Sequence, residues 1–430
     1  MEQKKQLITQ KKGFFLRIGG IILVILKRVF IRHKSCCKAL GFAALLSLSG
    51  IASQAQNVIS LNAIIDSTLK YSPALKGSDA SVSQQKNLLK ASFNLPNPEF
   101  LIQNPTGNFY TPGVQQNFDF PTVYSSQRKL QKENILLAEA AYGLNALDVK
   151  YQVSIVYREL QYQQMLLKIL RKQDSIYRQL SDNSARQFAA GEIDFVQTGF
   201  AKTQSGIVHS RLIIAEAAYN GALQRLKIMS GLSLANKINV EALRLDSTFL
   251  IILPDTSLAN NLSLNYSSQQ IAVASKQLAV NRQRAMPGFT VAFLNQGEMD
   301  TPFRNRFYAG IRIPLWYWQY NGNTAAARNH VDAAKYEFQA NQLQIHANIQ
   351  EAHEKFIAYS DALFGYNNEV LKDADALVNA AGRFFNSGNN SYMDYLRNLA
   401  SATEVTLSYW EIVKNYNQTL IYIQYLNGKL

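Results

Sequence analysis

The residues able to do chemistry are few and scattered. After residue 55 the chain keeps four histidines, His209, His330, His346 and His353, and no cysteine. His346 and His353 stand seven apart on a predicted helix, with Glu351 and Glu354 nearby. Seven residues is two helical turns, too far for both imidazoles to hold one metal ion without other ligands. Solvated helix positions are the plainer reading. There is no P-loop, no Gly-x-Gly-x-x-Gly, no His-Glu-x-x-His and no Cys-x-x-Cys. The carboxylates give no acid–base pair. The sequence therefore predicts no catalytic, cofactor or metal site, and no enzyme. One motif does occur twice. Arg186-Gln-Phe188-Ala-Ala-Gly191 matches Arg383-Phe-Phe385-Asn-Ser-Gly388 as Arg-x-Phe-x-x-Gly.

The elements that must carry this motif follow from the prolines. Phe118-Asp119-Phe120-Pro121 is followed by no proline until Pro254, and Ile311-Arg312-Ile313-Pro314 by none before Leu430. Proline breaks helices, because it lacks the N–H and clashes with the preceding turn. Each join therefore opens a long helical stretch. Landmarks recur at nearly one offset: Pro121 to Pro314 is 193 positions, Tyr71 to Tyr266 is 195, and Arg186 to Arg383 is 197. That period is too long for a solenoid and indicates a duplicated domain. The predicted division is 1–55 leader, 56–250 first copy and 251–430 second copy.

In the first copy residues 60–94 read as a helix, capped by Ser60, turned or kinked at Pro73 and ended by Pro96 and Pro98. Strands follow near 99–104 and 114–120. Val114, Gln116, Phe118 and Phe120 alternate with Gln115, Asn117 and Asp119. The helical hairpin then spans about 124–229. Its first helix could be a rod of roughly 100 Å. Val149, Val153, Val156, Leu160 and Leu167 mark a narrow stripe that Gln163 interrupts, which reads as a coiled-coil seam. The second copy repeats the plan, with strands about 289–314 and a helical hairpin about 323–427. Its first helix runs from about Asn323 to Asn386. Val413, Tyr416, Leu420 and Ile423 give its last helix an apolar face. The motif thus sits at the tip of each hairpin. Four strands cannot close a barrel, but four from each of three chains make twelve. A small sheet packed on helices in a soluble protein is the other reading. Tyr110, Tyr124, Trp316, Tyr317, Trp318 and Tyr320 crowd the strand ends, as an interfacial girdle would.

Charge is concentrated at the start. The 430 residues carry 44 Lys/Arg against 30 Asp/Glu, a net +14, but residues 1–55 hold ten of the bases and only Glu2 among the acids. The rest is near +5, which does not point to nucleic acid. Arg32, Lys34 and Lys38 precede the apolar run Ala39–Leu48, and Ser53-Gln54-Ala55 offers a cleavage site, so the mature chain is expected to begin near Gln56. The earlier stretch Phe14–Leu26, broken by Arg17, reads as an extended signal region or misplaced start, or alternatively as an inner-membrane anchor. Both cysteines, Cys36 and Cys37, lie in the leader without a lipoprotein pattern.

At this point the chain resembles the TolC-like family of outer-membrane efflux proteins over about 57–427. The marks are Leu61-x4-Asp66-x3-Leu69-x3-Pro73, Leu95-Pro96-Asn97-Pro98, Phe118-Asp119-Phe120-Pro121, Ile313-Pro314-Leu315 and the two tip loops. Residues 97–121 look most similar to the heavy-metal branch. The resemblance implies a homotrimer with a twelve-stranded β-barrel in outer-membrane lipid and an α-helical tunnel in the periplasm. It implies docking on a periplasmic adaptor (membrane fusion protein) that links to an inner-membrane resistance-nodulation-division pump, with export of metal cations and no cofactor. Arg186, Phe188, Gly191, Arg383, Phe385 and Gly388 would be adaptor-contacting tips, and Pro121 and Pro314 the strand-to-helix joins. Some members carry two acidic residues after the second tip glycine. Here Asp394 takes the first position of that periplasmic gate and Arg397 the second, which removes the double acidic ring. A periplasmic coiled-coil adaptor or scaffold without a pore is the alternative, but adaptors normally have one helical hairpin flanked by several β domains.

Overall fold

A computed structural model describes residues 58–104, 110–235, 238–246, 260–295, 302–366, 370–386 and 392–430. The leader, with Cys36 and Cys37, and the second tip glycine Gly388 lie outside the described residues.

The chain enters through a two-residue strand, β1 (Val58–Ile59). Ser60 then caps α1 (Leu61–Tyr71), accepting from the Ala63 N–H. Pro73 does turn the chain. Ser72 closes α1 and caps α2 (Pro73–Lys90), which has Pro73 in its first turn, where the missing N–H costs nothing. The expected helix to residue 94 stops earlier, at Lys90. The Ser92 hydroxyl takes the Leu89 carbonyl at 2.7 Å, so this end is satisfied before Pro96 is reached.

Strands β2 (Glu99–Gln103) and β3 (Thr111–Phe118) form an antiparallel pair. Helix α3 (Pro121–Ala189) begins at Pro121 itself, three residues before the expected Tyr124, and runs for 69 residues. Helix α4 (Phe195–Ser230) returns along it, ended by Gly231 at φ 67°. The predicted stripe is the seam. Val153 and Leu160 are fully buried, and Val156 and Leu167 nearly so. They pack in two clusters with Ile64, Tyr157 and Leu226, and with Leu170 and Leu212. The amide in the seam is Gln161, 2% exposed and donating to the Glu241 carbonyl at 2.9 Å. Gln163 is half-buried and bonds Glu159.

Strand β4 (Asn239–Val240) pairs in parallel with β1. Helix α5 (Leu262–Gln283), capped by Asn261, leads to β5 (Gly288–Leu294) and β6 (Phe307–Arg312), which complete an antiparallel sheet in the order β2-β3-β5-β6. The expected helix over 323–386 is described as α6 (Tyr317–Gly365) and α7 (Leu371–Asn386), with wider π-type turns at Tyr366 and Val370; residues 367–369 lie outside the described residues. Helix α8 (Tyr392–Leu426) closes the fold, packing on α6, α7 and α3. Its predicted face is the buried one: Val413 at 0%, Leu420 at 1%, Ile423 at 4% and Tyr416 at 6% exposure. The order of two strands, long helix and return helix thus occurs twice. Among the described residues no helix is long and apolar enough to cross a membrane.

Candidate functional site

The sheet has two chemically opposite faces, fixed by strand alternation and register. Phe100 pairs with Val114, Val114 with Phe293, and Phe293 with Phe307. Phe118 pairs with Phe289, and Phe289 with Ile311. One face is therefore mostly Phe, Val and Ile, interrupted by Gln116 opposite Val291. Phe100 is 84% exposed and Ile311 66%. A water-soluble sheet rarely presents so large an apolar area. The other face carries Glu99, Gln115, Asn117 and Thr290. There the Asn117 amide donates to Glu99 at 3.3 Å and its Oδ1 accepts from Thr290 at 2.7 Å. Gly113 and Gly288 lie on this face. A Cβ at Gly113 would stand 2.7 Å from the Phe293 carbonyl, and one at Gly288 2.9 Å from the Phe118 carbonyl, so these glycines permit the close strand approach. Strands β2 and β6 each keep one unpaired edge, because the four strands do not close.

The joins sit beneath the sheet. Pro121 is the first residue of α3. Pro314 lies in the link between β6 and α6, beside Leu315 and Trp316, both more than 60% exposed. Arg312 spans the two halves, donating to the Phe118 carbonyl at 3.2 Å and pairing with Asp119 at 3.3 Å. Thr122 adds a 2.6 Å bond to Gln283.

At the opposite end of α3 the first tip is a tight turn. Gly191 has φ 76°, which favours glycine. Its N–H and that of Glu192 bond the carbonyls of Phe188 and Gln187 at 3.0 and 2.9 Å. Asp194 caps α4 through the Gln197 N–H at 2.8 Å. Phe188 meets Phe195 edge-on at 6.3 Å, and Phe188, Phe195 and Val196 are all exposed. Arg186 is exposed and donates to Asn183. The tip thus presents an apolar patch beside a cation. In the second tip, Arg383 is exposed and Phe385 lies in the last turn of α7. Asp394 and Arg397 share the first turns of α8 and pair at 3.9 Å, with side chains 53% and 74% exposed. Their charges offset each other locally. Leu396 and Leu399, on the buried side of the same turns, pack against Tyr177, Leu180, Ala201 and Val208. The second tip is thereby held on the first hairpin.

His346 is exposed, and His353 is half-buried beside Ile349, Ile423 and Leu426. Among the described residues no three His, Cys, Asp or Glu side chains group as a metal site. The sequence reading missed one polar cluster. Asp174, nearly buried, pairs with Arg178 at 2.9 Å and lies 3.2 Å from His209 Nδ1. Asp174 and Arg178 stand on one helix four residues apart, which was legible, but His209 comes from the facing helix 35 residues on.

The chain superposes on solved outer-membrane channels. On the Campylobacter jejuni CmeC outer membrane channel the TM-score is 0.74 at 16% identity, covering 86% of this chain and 85% of that one. The two chains have the same fold. The outer membrane protein VceC of Vibrio cholerae gives 0.71 at 13% identity, covering 86% and 96%. CusC, described in terms of transmembrane channel formation, gives 0.70 at 15% identity, covering 86% and 92%. No family model matches the sequence, and no curated protein matches it.

Proposed function

We propose that this chain is one subunit of a homotrimeric, TolC-like outer-membrane conduit. Three copies join the free edges of β2 and β6 into a twelve-stranded barrel, with the Phe/Val/Ile face toward lipid and the Glu99–Asn117–Thr290 face toward water. The observation that carries this reading is the exposed apolar face on a sheet whose other face is polar. The repeated element order supports 56–250 and 251–430 as two copies, so that a trimer acts as a pseudo-sixfold tube of helical hairpins in the periplasm. The tips, with Arg186, Phe188 and Gly191 from one hairpin and Arg383, Phe385 and Gly388 from the other, dock a periplasmic adaptor that leads to an inner-membrane pump. Metal cations are the cargo favoured by the residue 97–121 resemblance, and pump and adaptor would select it. A pore-less periplasmic scaffold is the competing reading, and the exposed sheet argues against it.

The test is fractionation of the expressed protein. The expected result is a trimer in the outer-membrane fraction that conducts ions after reconstitution. A soluble monomer would overturn the proposal. The pair at the second tip gives a signed prediction. Removing Arg397 as Arg397→Ala leaves three Asp394 carboxylates around the pore mouth and should raise cation over anion permeability. Asp394→Ala leaves three cations and should lower it. Both effects should fade with salt, since the charges are exposed. Equal reversal potentials in the two variants would remove this pair from the conduction path.

A further inference from the structure

The helix segments next to the sheet carry a charge excess that no other part of the chain after residue 55 shares. Residues 86–98 hold two Lys/Arg, 120–133 three, 276–287 three and 313–331 one, nine in all, against the single carboxylate Glu133. The remainder of the chain after residue 55 has 25 bases against 28 acids. Lys86 is neutralised by Glu139 at 2.9 Å, and Lys276 lies 3.9 Å from Glu133. Lys90, Arg128, Lys129, Lys132, Arg282 and Arg284 are all exposed, and among the described residues they make no ion pair. Position along the elements makes this a collar. Lys90 ends α2, Arg282 and Arg284 end α5 just before β5, and Arg128 to Lys132 fall in the first three turns of α3. Lys132 is therefore only about 16 Å along its helix from the join. The aromatic group of the joins stands at this level, with Phe93 against Tyr124 at 5.1 Å and Trp316 against Trp318 at 5.2 Å.

An exposed aromatic belt above a net positive collar is the pattern of a surface seated in a negatively charged lipid headgroup layer. We infer that this collar binds anionic phospholipid headgroups of the leaflet on the helix side of the sheet. The inference rests on the outer-membrane reading above. Charge complementarity is the argument: a solvated tunnel wall needs no such excess, and elsewhere after residue 55 the chain is close to neutral. The headgroup phosphates supply the missing counter-charges, and the guanidinium groups can hold phosphate oxygens in pairs.

The test uses the full mature chain inserted into vesicles of phosphatidylcholine mixed equally with phosphatidylglycerol. Lipid retained after mild detergent extraction is measured by mass spectrometry. The expected result is enrichment of phosphatidylglycerol on the order of tenfold, falling as salt rises. The variant carrying Lys129→Gln, Lys132→Gln, Arg282→Gln and Arg284→Gln should retain the two lipids equally. A control with Lys168→Gln and Lys172→Gln, exposed on α3 beyond the collar, should keep the preference. Equal retention by the unaltered protein overturns the inference, as does an undiminished preference in the fourfold variant. Inorganic phosphate at moderate concentration should not displace the lipid; full displacement would identify a general anion site instead of a lipid surface. Failure to insert into any vesicle counts against the outer-membrane reading itself, which separates the two failures.

Discussion

Val114→Arg should abolish accumulation of the protein in the outer membrane, while Gln115→Arg should leave it nearly intact. The two residues are neighbours in one strand, so propensity and position along the chain hardly differ. They point to opposite faces. Val114 lies between Phe100 and Phe293, and Gln115 between Glu99 and Ala292. An arginine on a lipid-facing barrel position costs about 2–4 kcal/mol near the bilayer centre, and lumen-facing changes cost far less. Each trimer would bear the penalty three times. Gln115→Arg instead brings a cation toward Glu99. The measurement is outer-membrane fractionation with detection of the trimer band. A normal level of Val114→Arg trimer, or equal loss in both variants, would contradict the assignment of faces.

Tyr157→Ala should lower the unfolding midpoint more than truncation at an exposed aromatic such as Tyr308. Tyr157 is wholly buried within the cluster of Ile64, Val153, Leu160 and Leu226. Its hydroxyl donates to the Ile59 carbonyl at 2.8 Å and accepts from the Glu241 N–H at 3.3 Å. One phenol therefore fastens β1 and the segment after β4 to α3. Burial pushes its pKa above the ordinary tyrosine value, partly offset by the Glu241 N–H, so it remains a donor at neutral pH. Truncation leaves a cavity worth about 3–5 kcal/mol. Tyr157→Phe keeps the packing and strips two bonds to part-buried backbone groups, a loss of about 0.5–1.5 kcal/mol each. Thermal or urea unfolding of the purified protein, read for both variants, separates the two contributions. A Tyr157→Phe midpoint equal to the unaltered protein would show that the hydroxyl carries no weight.

Much of the plan was legible because it is periodic or punctuated. Pro121 started α3, and Ser60 and Pro73 placed the first two helices. The spacing of Val153, Val156 and Leu160 gave the seam, and Val114, Gln116 and Phe118 gave the faces of β3. Each signal is local, since a proline, a cap or an alternation acts within a few residues. What escaped was short or distant. Strands β1 and β4 have two residues each, too few to show any period. The segment that follows β4 is likewise held by a remote element. Asn417, for example, is 1% exposed, donates to the Arg244 carbonyl at 2.8 Å and accepts from the Asp246 N–H at 3.0 Å.

The sequence by itself determined the long proline-free helices, the alternating strands and the repeated tip motif, since these follow from backbone sterics and side-chain period. Only the tertiary structure decided that the apolar strand faces align across four strands from both halves. It also decided that the cations of α2, α3 and α5 share one end of the molecule. Register and helix packing set those relations, and they join segments that are separate in the chain, beyond the reach of any local rule.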